Sequence, residues 1–383
     1  MTTSNSVLNT PDEQTTERGI SSKAASVNFH NVTKMFGDDV VAVDNVSLRV
    51  NAGELVTLLG PSGCGKTTTL RMIAGLEMAT EGQILIGDRD VTRLPATDRD
   101  VSMVFQSYAL FPHMTVLENV SYGLRVSKIP KKECLERAMH GLSLVGLDGY
   151  AKRLPSELSG GQQQRVAVAR ALVLEPQVLL FDEPLSNLDA KLRRQVREEI
   201  RDLQTSLGLT VVYVTHDQEE ALAVSDRIIV MRNASMAQIG TPRERYETPA
   251  DVFVVDFIGE SNMVDVDITS IDRSKNTATV SLGKLSLILP SRGLPVGKAK
   301  LAVRPNRVRL SKASTSAENA VSLVGRIDKA IYVGSNMEYQ VSTNYGNWFA
   351  ISDEVDQPFL ADEQVNVTFT KHGPVLLSVD SQH

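Results

Sequence analysis

The sequence predicts an α/β domain built on a mostly parallel sheet, followed by a smaller all-β domain. Short runs of Val, Leu and Ile alternate with helical stretches, as parallel strands covered by helices on both faces require. These runs are ELVTLLG (54–60), QVLLFDE (177–183), VVYVTHD (211–217) and DRIIVM (226–231), and TTTLRMIAGL (67–76) is a helical stretch. After FIGESNM (257–263) the pattern changes to period-two alternation with turn residues, which indicates a small antiparallel sandwich or barrel.

Composition and pattern divide the chain into segments. Residues 1–25 are rich in Ser, Thr, Asn and Gln and contain few large apolar groups, which predicts a disordered tail. We expect the α/β domain at 26–261 and the β-rich domain at 262–383. Within the first, KKECLERAMHGLSLVGL (131–147) carries apolar residues at helical spacing and indicates a helical insertion, which we place at about 107–165.

The overall composition excludes some classes of function. The 383 residues are 42% apolar and 22% charged, which is ordinary for a globular protein. The net charge of −6 argues against nucleic acid as the main partner, because no basic excess exists to displace counterions. The sequence has no membrane-spanning apolar run and no signal peptide at its start. Cys64 and Cys134 lie far apart and suggest no disulfide framework, so we expect a reduced, cytoplasmic protein.

GPSGCGKTT begins at Gly60, follows a predicted strand and opens a predicted helix. It matches G-x-x-x-x-G-K-[ST], in which glycines let backbone N–H groups turn toward phosphates and the helix N-terminus adds a favourable potential. Lys66 is expected to reach the β- and γ-phosphates of ATP, and the Thr67 hydroxyl to ligate Mg²⁺. The predicted nucleotide-binding residues here are Gly60, Pro61, Ser62, Gly63, Cys64, Gly65, Lys66, Thr67 and Thr68.

We make a further prediction for Thr68 and for Cys64. Thr68 is expected to donate a further hydrogen bond to a phosphate. Cys64 is interpreted as a small space-filling residue rather than a redox group, although its alkylation should block nucleotide binding.

Polar groups follow two further strand-like runs. Asp182 ends VLLFD and would hold Mg²⁺, and Glu183 would polarise an attacking water as general base. His216 ends VVYVTH, on the same predicted sheet edge as Asp182, where it would contact the γ-phosphate. Gln106 would place an amide near Mg²⁺ and the water. The predicted catalytic set is thus Glu183, His216, Gln106 and Lys66, and the predicted metal set is Thr67, Gln106 and Asp182.

A second turn suited to phosphate lies at 158–165, LSGGQQQR. Ser159 is expected to cap a helix that continues through GGQQQRVAVARALV, with its free N–H groups directed outward. The simpler alternative is a capped helix start without a ligand. Gly-Gly at a helix start is otherwise unfavourable, which argues against that alternative.

GPSGCGKTT, FQ at 105–106, LSGGQ, LLFDEP, SNLDAKLR and THD resemble, in this order, the signature set of ABC-type ATPase subunits. The likeness covers roughly 26–260 and implies a P-loop NTPase (RecA-like) core. It also implies a head-to-tail pair, in which the signature turn of each copy closes on the ATP of the other. By this resemblance the signature residues Ser159, Gly160, Gly161 and Gln162 bind the second copy's nucleotide.

The resemblance assigns two more residues. Asp189 in SNLDA matches the aspartate that links the two sites across the interface. Phe36 in KMFGDD matches the aromatic residue that stacks on adenine, where many relatives have Tyr; the alternative for Phe36 is a core position.

The resemblance also implies membrane partners. The stretch 107–124 is similar to the surface that receives a short helix of a membrane-spanning permease subunit, although its apolar residues could equally form the core of the helical insertion. The protein would then lie on the cytoplasmic face of the inner membrane as a peripheral subunit.

RPNRVRL (304–310) and GRIDKAIYVGSNMEYQV (325–341) resemble the OB-like, TOBE-like β-barrel appended to ATPase subunits of bacterial solute importers. Many relatives have Glu where this chain has Asn306. The segment from the signature turn to SNLDA is most like the iron(III) and polyamine subunits, which implies import of one of these solutes with an external solute-binding protein. Phosphonate, sugar or another solute stays an alternative, as does a non-transport ABC ATPase. The β-rich domain would either stabilise a dimer or bind a regulator.

Overall fold

The computed structural model describes residues 23–37, 39–283, 285–313 and 323–379. The expectation of a disordered tail at 1–25 falls outside these ranges except for residues 23–25, which lie in no helix or strand.

A six-stranded sheet forms the centre of the α/β part, in the order β10-β9-β3-β8-β7-β6. The strands from β9 to β6 in this order run parallel, and β10 pairs antiparallel with β9 at one edge. The bounds are Leu55–Leu59 (β3), Val101–Val104 (β6), Val178–Asp182 (β7), Val211–Thr215 (β8), Arg227–Arg232 (β9) and Ser235–Gly240 (β10). The predicted parallel sheet is therefore confirmed.

A separate four-stranded antiparallel sheet, in the order β2-β1-β4-β5, was not anticipated from the sequence. Its strands are Val27–Phe36 (β1), Val40–Val50 (β2), Glu81–Ile86 (β4) and Arg89–Asp90 (β5). Its buried residues share one apolar cluster with helix α1 (Lys66–Ala74) and with one face of the parallel sheet.

Alternate residues of each parallel strand point to opposite faces, and both faces are buried. Val178 and Leu180 of β7 belong to the cluster that includes α1, whereas Leu179 and Phe181 belong to the cluster that includes the helices of the other face. These strands therefore read as continuous apolar runs because neither face meets water.

The remaining helices cover the other face and the C-terminal end of the α/β part. They are Val116–Val126 (α2), Lys131–Leu144 (α3), Gly160–Leu172 (α4), Ala190–Leu207 (α5), Gln218–Val224 (α6), Pro242–Glu247 (α7) and Val252–Phe257 (α8). Short 3-10 helices lie at Ala96–Asp98, Pro155–Glu157 and Pro305–Arg307. The helices α2, α3 and α4 pack on one another. Within the described ranges, no helix combines the length and apolar character needed to cross a bilayer.

The β-rich part begins with β11 at Asn262 and consists of two five-stranded antiparallel sheets. The first, in the order β13-β12-β11-β14-β20, contains Asn262–Asp272 (β11), Thr277–Leu282 (β12), Leu285–Pro290 (β13), Gly297–Val303 (β14) and Pro374–Leu377 (β20). The second, in the order β15-β19-β16-β17-β18, contains Val308–Lys312 (β15), Leu323–Tyr332 (β16), Met337–Thr343 (β17), Gly346–Ser352 (β18) and Gln364–Phe369 (β19).

One apolar cluster, which includes Trp348, Tyr339 and Ile327, draws residues from both of these sheets. In β12 the burial alternates strictly between half-buried and buried residues, as period-two patterning requires. The expected small antiparallel β domain is confirmed.

Candidate nucleotide site

The predicted phosphate loop connects the end of β3 to the start of α1. Lys66, the first residue of the helix, is only 6% exposed. Its ammonium group donates hydrogen bonds to the backbone carbonyls of Gly60 at 2.7 Å and Pro61 at 2.8 Å. The loop therefore wraps around a buried positive charge at the N-terminus of a helix, which is a favourable arrangement for an anion.

Two glycines of the loop cannot be replaced by a residue that carries a side chain. A Cβ on Gly60 would lie 2.5 Å from the carbonyl oxygen of Met231, and one on Gly65 would collide with the carbonyl oxygen of Ala42. Gly65 also has φ of +103°, a conformation that L side chains rarely adopt. The tight curve of the loop thus requires residues without a side chain.

Cys64 is a free thiol in the same loop and is 3% exposed. Its sulfur lies 3.8 Å from Nζ of Lys66. This burial agrees with the interpretation of Cys64 as a small residue that fills space under the loop.

Thr67 and Asp182 meet across the gap between α1 and the end of β7. The Thr67 hydroxyl donates to Oδ1 of Asp182 at 3.4 Å. Burial raises the pKa of Asp182, with the Glu183 charge acting in the same direction and Arg71 opposing it. A second positive charge beside this carboxylate would be stabilising, because the carboxylate is partly removed from water.

Glu183 and His216 also lie side by side, although they come from neighbouring strands far apart in sequence. His216 Nδ1 is 3.1 Å from Oε2 of Glu183. Glu183 has φ of +44°, and its backbone N–H still bonds to the carbonyl of Val214 at 3.0 Å. The left-handed conformation turns the chain away from the strand directly after Asp182, which directs Glu183 to the edge of the sheet.

Gln106 belongs to a polar network that the sequence did not reveal. Its amide nitrogen donates to the Ser186 hydroxyl at 3.2 Å, and Asn187 donates to its backbone carbonyl at 3.0 Å. The Ser186 hydroxyl in turn donates to the carbonyl of Glu183 at 3.1 Å. Gln106 is thereby connected to the segment that carries Glu183. Ser186 and Asn187 both lie in the SNLDA motif, but the family resemblance assigned a role only to the aspartate of that motif.

Asp189 caps helix α5, since its carboxylate accepts a hydrogen bond from the N–H of Leu192 at 3.0 Å. On the same helix Arg193 donates to the carbonyl of Leu188 and lies 3.1 Å from Oδ2 of Asp217. Arg193 is a third residue whose role the sequence did not reveal. It joins the segment of Asp189 to the segment of His216.

The second turn begins α4 as expected. The Ser159 hydroxyl accepts from the N–H of Gln162, and the Gln162 side chain accepts from the N–H of Ser159 at 2.9 Å, which forms a reciprocal capping box. Ser159 and Gly160 are exposed, whereas Gly161 is buried. A Cβ on Gly161 would lie 2.9 Å from Leu192, so this glycine permits the close packing of α4 on α5. The predicted cap is confirmed, and Gly161 has a packing role that was not foreseen.

Phe36 lies at the end of β1 and is 41% exposed. The Lys34 ammonium is 4.6 Å from the centroid of its ring. Exposure on this scale contradicts the alternative of a core phenylalanine.

The stretch 107–124 contributes both to the core and to the surface. Val116, Val120 and Leu124 are fully buried, but Tyr122 is 39% exposed and its ring lies 4.7 Å from that of Phe111. These two rings line a groove together with residues of β6 and α4. The core interpretation is therefore confirmed for the three buried residues, whereas the docking surface stays a prediction for the exposed face.

Arg170, near the end of α4, holds the backbone directly after Gln106. Its guanidinium donates to the carbonyls of Tyr108 at 2.8 Å and Ala109 at 2.7 Å. Both of these residues are left-handed, with φ of 60° and 49°. Two consecutive non-glycine residues in this conformation are costly, and the two bonds from Arg170 offset part of that cost. No sequence motif pointed to this contact.

The parallel sheet, the phosphate loop and the acidic residues at one sheet edge define a P-loop ATPase. Comparison with protein families places an ABC transporter match at residues 43–186 and a TOBE domain match at residues 301–377. The chain belongs to the ABC transporter family, as the resemblance implied.

Relatives match along almost the whole chain. The Fe(3+) ions import ATP-binding protein FbpC 1 of Rhizobium meliloti (strain 1021) is 57% identical over 353 residues, which cover 92% of this chain and 98% of that protein. FbpC of Brucella abortus (strain 2308) is 54% identical, with 93% and 99% covered. The spermidine/putrescine import ATP-binding protein PotA of Mannheimia succiniciproducens is 43% identical, with 93% and 97% covered.

Solved structures of an ABC transporter cassette match part of the chain. The dimeric structure of MJ0796, a bacterial ABC transporter cassette, is 35% identical with a TM-score of 0.51, and the match covers 57% of this chain and 99% of that chain. A post-hydrolysis state of the same cassette bound to ADP and Pi has a TM-score of 0.50. The predicted P-loop core and β-rich C-terminal domain are thus confirmed by the family and by the fold.

Replacing Arg170 by Met should lower kcat for ATP by about tenfold with a smaller change in KM, because two charge-assisted hydrogen bonds to the Tyr108–Ala109 segment are lost. Arg170→Lys should restore part of the activity, since an ammonium can satisfy one carbonyl but lacks the planar fork. Steady-state ATPase assays check this, with the exposed Arg194→Met as control. An Arg170→Met protein with unchanged kcat would refute the positioning role.

Proposed function

We propose that this chain hydrolyses ATP as a head-to-tail dimer and thereby powers import of a small solute through separate membrane subunits. The observation that carries the proposal is the meeting of Lys66, the Thr67–Asp182 pair and the Glu183–His216 pair at one edge of the parallel sheet. One of these groups binds phosphate, one suits a cation, and one activates water.

We propose that the loop N–H groups, Lys66 and Thr68 bind the ATP phosphates. A hydroxyl and a carboxylate in contact are a suitable oxygen donor set for Mg²⁺, so Thr67 and Asp182 would hold it with Gln106 nearby. Among the described residues, no three His, Cys, Asp or Glu side chains are arranged so that they could hold a metal ion by themselves. When bound, Mg²⁺ would neutralise negative charge on the phosphates.

Glu183 is the proposed general base. His216 orients its carboxylate through Nδ1, which leaves the Nε2 edge of the imidazole for the γ-phosphate. Gln106 is tied to the Glu183 segment through Ser186, so its amide would help to position the attacking water. Catalysis would consist mainly of positioning and electrostatic stabilisation, because phosphoryl transfer leaves little covalent work to the protein.

The second copy would complete each site. Ser159 and Gly160 are exposed at the N-terminus of α4, where backbone N–H groups suit a phosphate. In a two-fold pair each copy would offer this turn, with Gly161 and Gln162 shaping it, to the ATP of its partner. Asp189 would lie at the interface, and Phe36 would stack on adenine. The dimeric state of the solved cassette supports this arrangement.

The proposed partners are a membrane-spanning permease subunit and a solute-binding protein. The groove of Phe111 and Tyr122 would receive a helix of a permease subunit, which would hold the protein on the cytoplasmic face of the inner membrane. An external solute-binding protein would deliver the solute. We propose iron(III), since the FbpC proteins are more similar to this chain than PotA, and a polyamine as the second candidate.

We further propose the division into an ATPase domain at 26–261 and a TOBE-like domain at 262–383. The start of β11 at Asn262 supports the boundary.

Glu183→Gln should reduce ATP turnover by roughly 10²–10⁴-fold while ATP binding is retained, because an amide cannot accept the proton of the attacking water. Turnover and fluorescent-nucleotide binding measure the two effects, and the exposed Glu198→Gln is the matched control. Normal turnover in the Glu183 variant would exclude this residue as the base.

ATP should drive dimer formation in the Glu183→Gln chain, and a further Ser159→Arg change should prevent it by placing a bulky side chain at the proposed partner phosphate. Sedimentation velocity with and without ATP measures the association. Ser143→Arg, at an exposed position on α3, should leave the dimer intact. ATP-induced dimers of the Ser159→Arg variant would contradict the head-to-tail arrangement.

A further inference from the structure

A cleft of about 460 Å³ lies where helix α7 of the α/β part meets the β-rich part. Its apolar lining comes mainly from the ends of β13 and β20, at Leu289, Pro290, Pro374, Val375 and Leu376. Ligand sites often occur at such junctions between domains, on an apolar floor with a few polar groups around it. We define this space as the junction cleft.

The charged and titratable side chains around the junction cleft are mostly basic. They are Arg243, Arg292, Arg307, Lys371 and His372, from four separate segments of the chain. The carboxylate among them, Glu247, is 3.0 Å from Nε of Arg243 and 4.0 Å from a nitrogen of Arg307. Four permanent cations therefore surround one acid, although the whole chain has a net charge of −6.

Arg292 is fixed in place without a carboxylate. Its guanidinium donates to the carbonyls of Leu376 at 3.2 Å and Pro249 at 2.5 Å. Burial lowers the pKa of Arg292. A positive charge held by two backbone carbonyls in this way is preorganised for an anion.

A small cavity of about 20 Å³ adjoins the cleft and shares Glu247, Arg307 and His372 with it. Arg304 and Ser261 also line this cavity. Arg304 is 6% exposed and donates through Nη1 to carbonyls at the end of α8. Its Nη2 and the Ser261 hydroxyl find no hydrogen-bond partner within the described part of the chain. Buried donors of this kind call for an acceptor.

We propose that the junction cleft binds a small organic polyanion that carries two or more carboxylate or phosphate groups. Its charged groups pair with Arg307, Lys371 and Arg292, and its carbon skeleton lies on the apolar floor. One oxygen, directly or through a water, satisfies the donors of the small cavity. Because α7 and the β-rich part both contribute, the bound anion fastens the two parts together.

This site is separate from the nucleotide site, because the two share no residue. Its volume suits a small molecule rather than a polymer.

The test is calorimetric titration of the full chain with citrate and with inorganic phosphate in metal-free buffer. A Lys66→Ala background removes the main anion site of the phosphate loop. We expect citrate to bind more tightly than phosphate, and Arg307→Gln/Lys371→Gln to weaken citrate binding by at least about tenfold, since charge-assisted contacts are lost. Arg309→Gln, an exposed arginine outside the cleft, should change citrate affinity less than about twofold, as expected for a charge that makes no direct contact.

The single change Lys371→Gln affects an exposed turn residue, so a folding defect is not expected. It should also weaken citrate binding, as the double variant does. Absence of citrate binding, or equal loss in the Arg309→Gln control, would overturn the proposal. Phosphate binding as tight as citrate binding would contradict the proposal, because it would show that an organic polyanion is not preferred. Binding of hexaglutamate without citrate would assign the cleft to an acidic protein segment and also defeat the proposal.

Discussion

The carboxyl ends of β3, β7 and β8 meet at one edge of a parallel sheet, and the nucleotide site depends on this meeting. The phosphate loop follows β3, the Asp182–Glu183 pair ends β7, and His216 follows β8. Burial of both sheet faces fixes the strands relative to one another, since a one-residue register slip would exchange the side chains that are packed in the two cores. The 3.1 Å contact between His216 and Glu183 is thus a consequence of core packing.

Longer side chains connect this edge to the helices around it. Arg170 joins α4, which begins at the signature turn, to the backbone after Gln106, and Arg193 joins the Asp189 segment to Asp217. The helix that begins at the signature turn and the segment of Asp189 therefore contact the segments that follow Gln106 and His216.

The fold was predictable to different degrees in its parts. The parallel strands and the alternating β-rich domain were predictable because periodicity reports directly on which faces are buried. The four-stranded antiparallel sheet around β1 and β2 was not, since β1 and β2 precede the α/β pattern and β4 joins them only after β3 and α1 have intervened. In the site, Ser186 and Asn187 escaped notice because their role lies in contacts to Gln106.

The sequence alone determined the local chemistry: the turn that holds Lys66, the cap at Ser159, and the acids at the end of β7. Each depends on a few consecutive residues, because their steric and hydrogen-bonding preferences act between near neighbours in the sequence. Only the tertiary structure decided that Arg170 supports two left-handed residues, that Gly161 admits Leu192, and that scattered cations gather at the junction cleft. These contacts join residues far apart in sequence, and their distances exist only once the sheets and helices have packed.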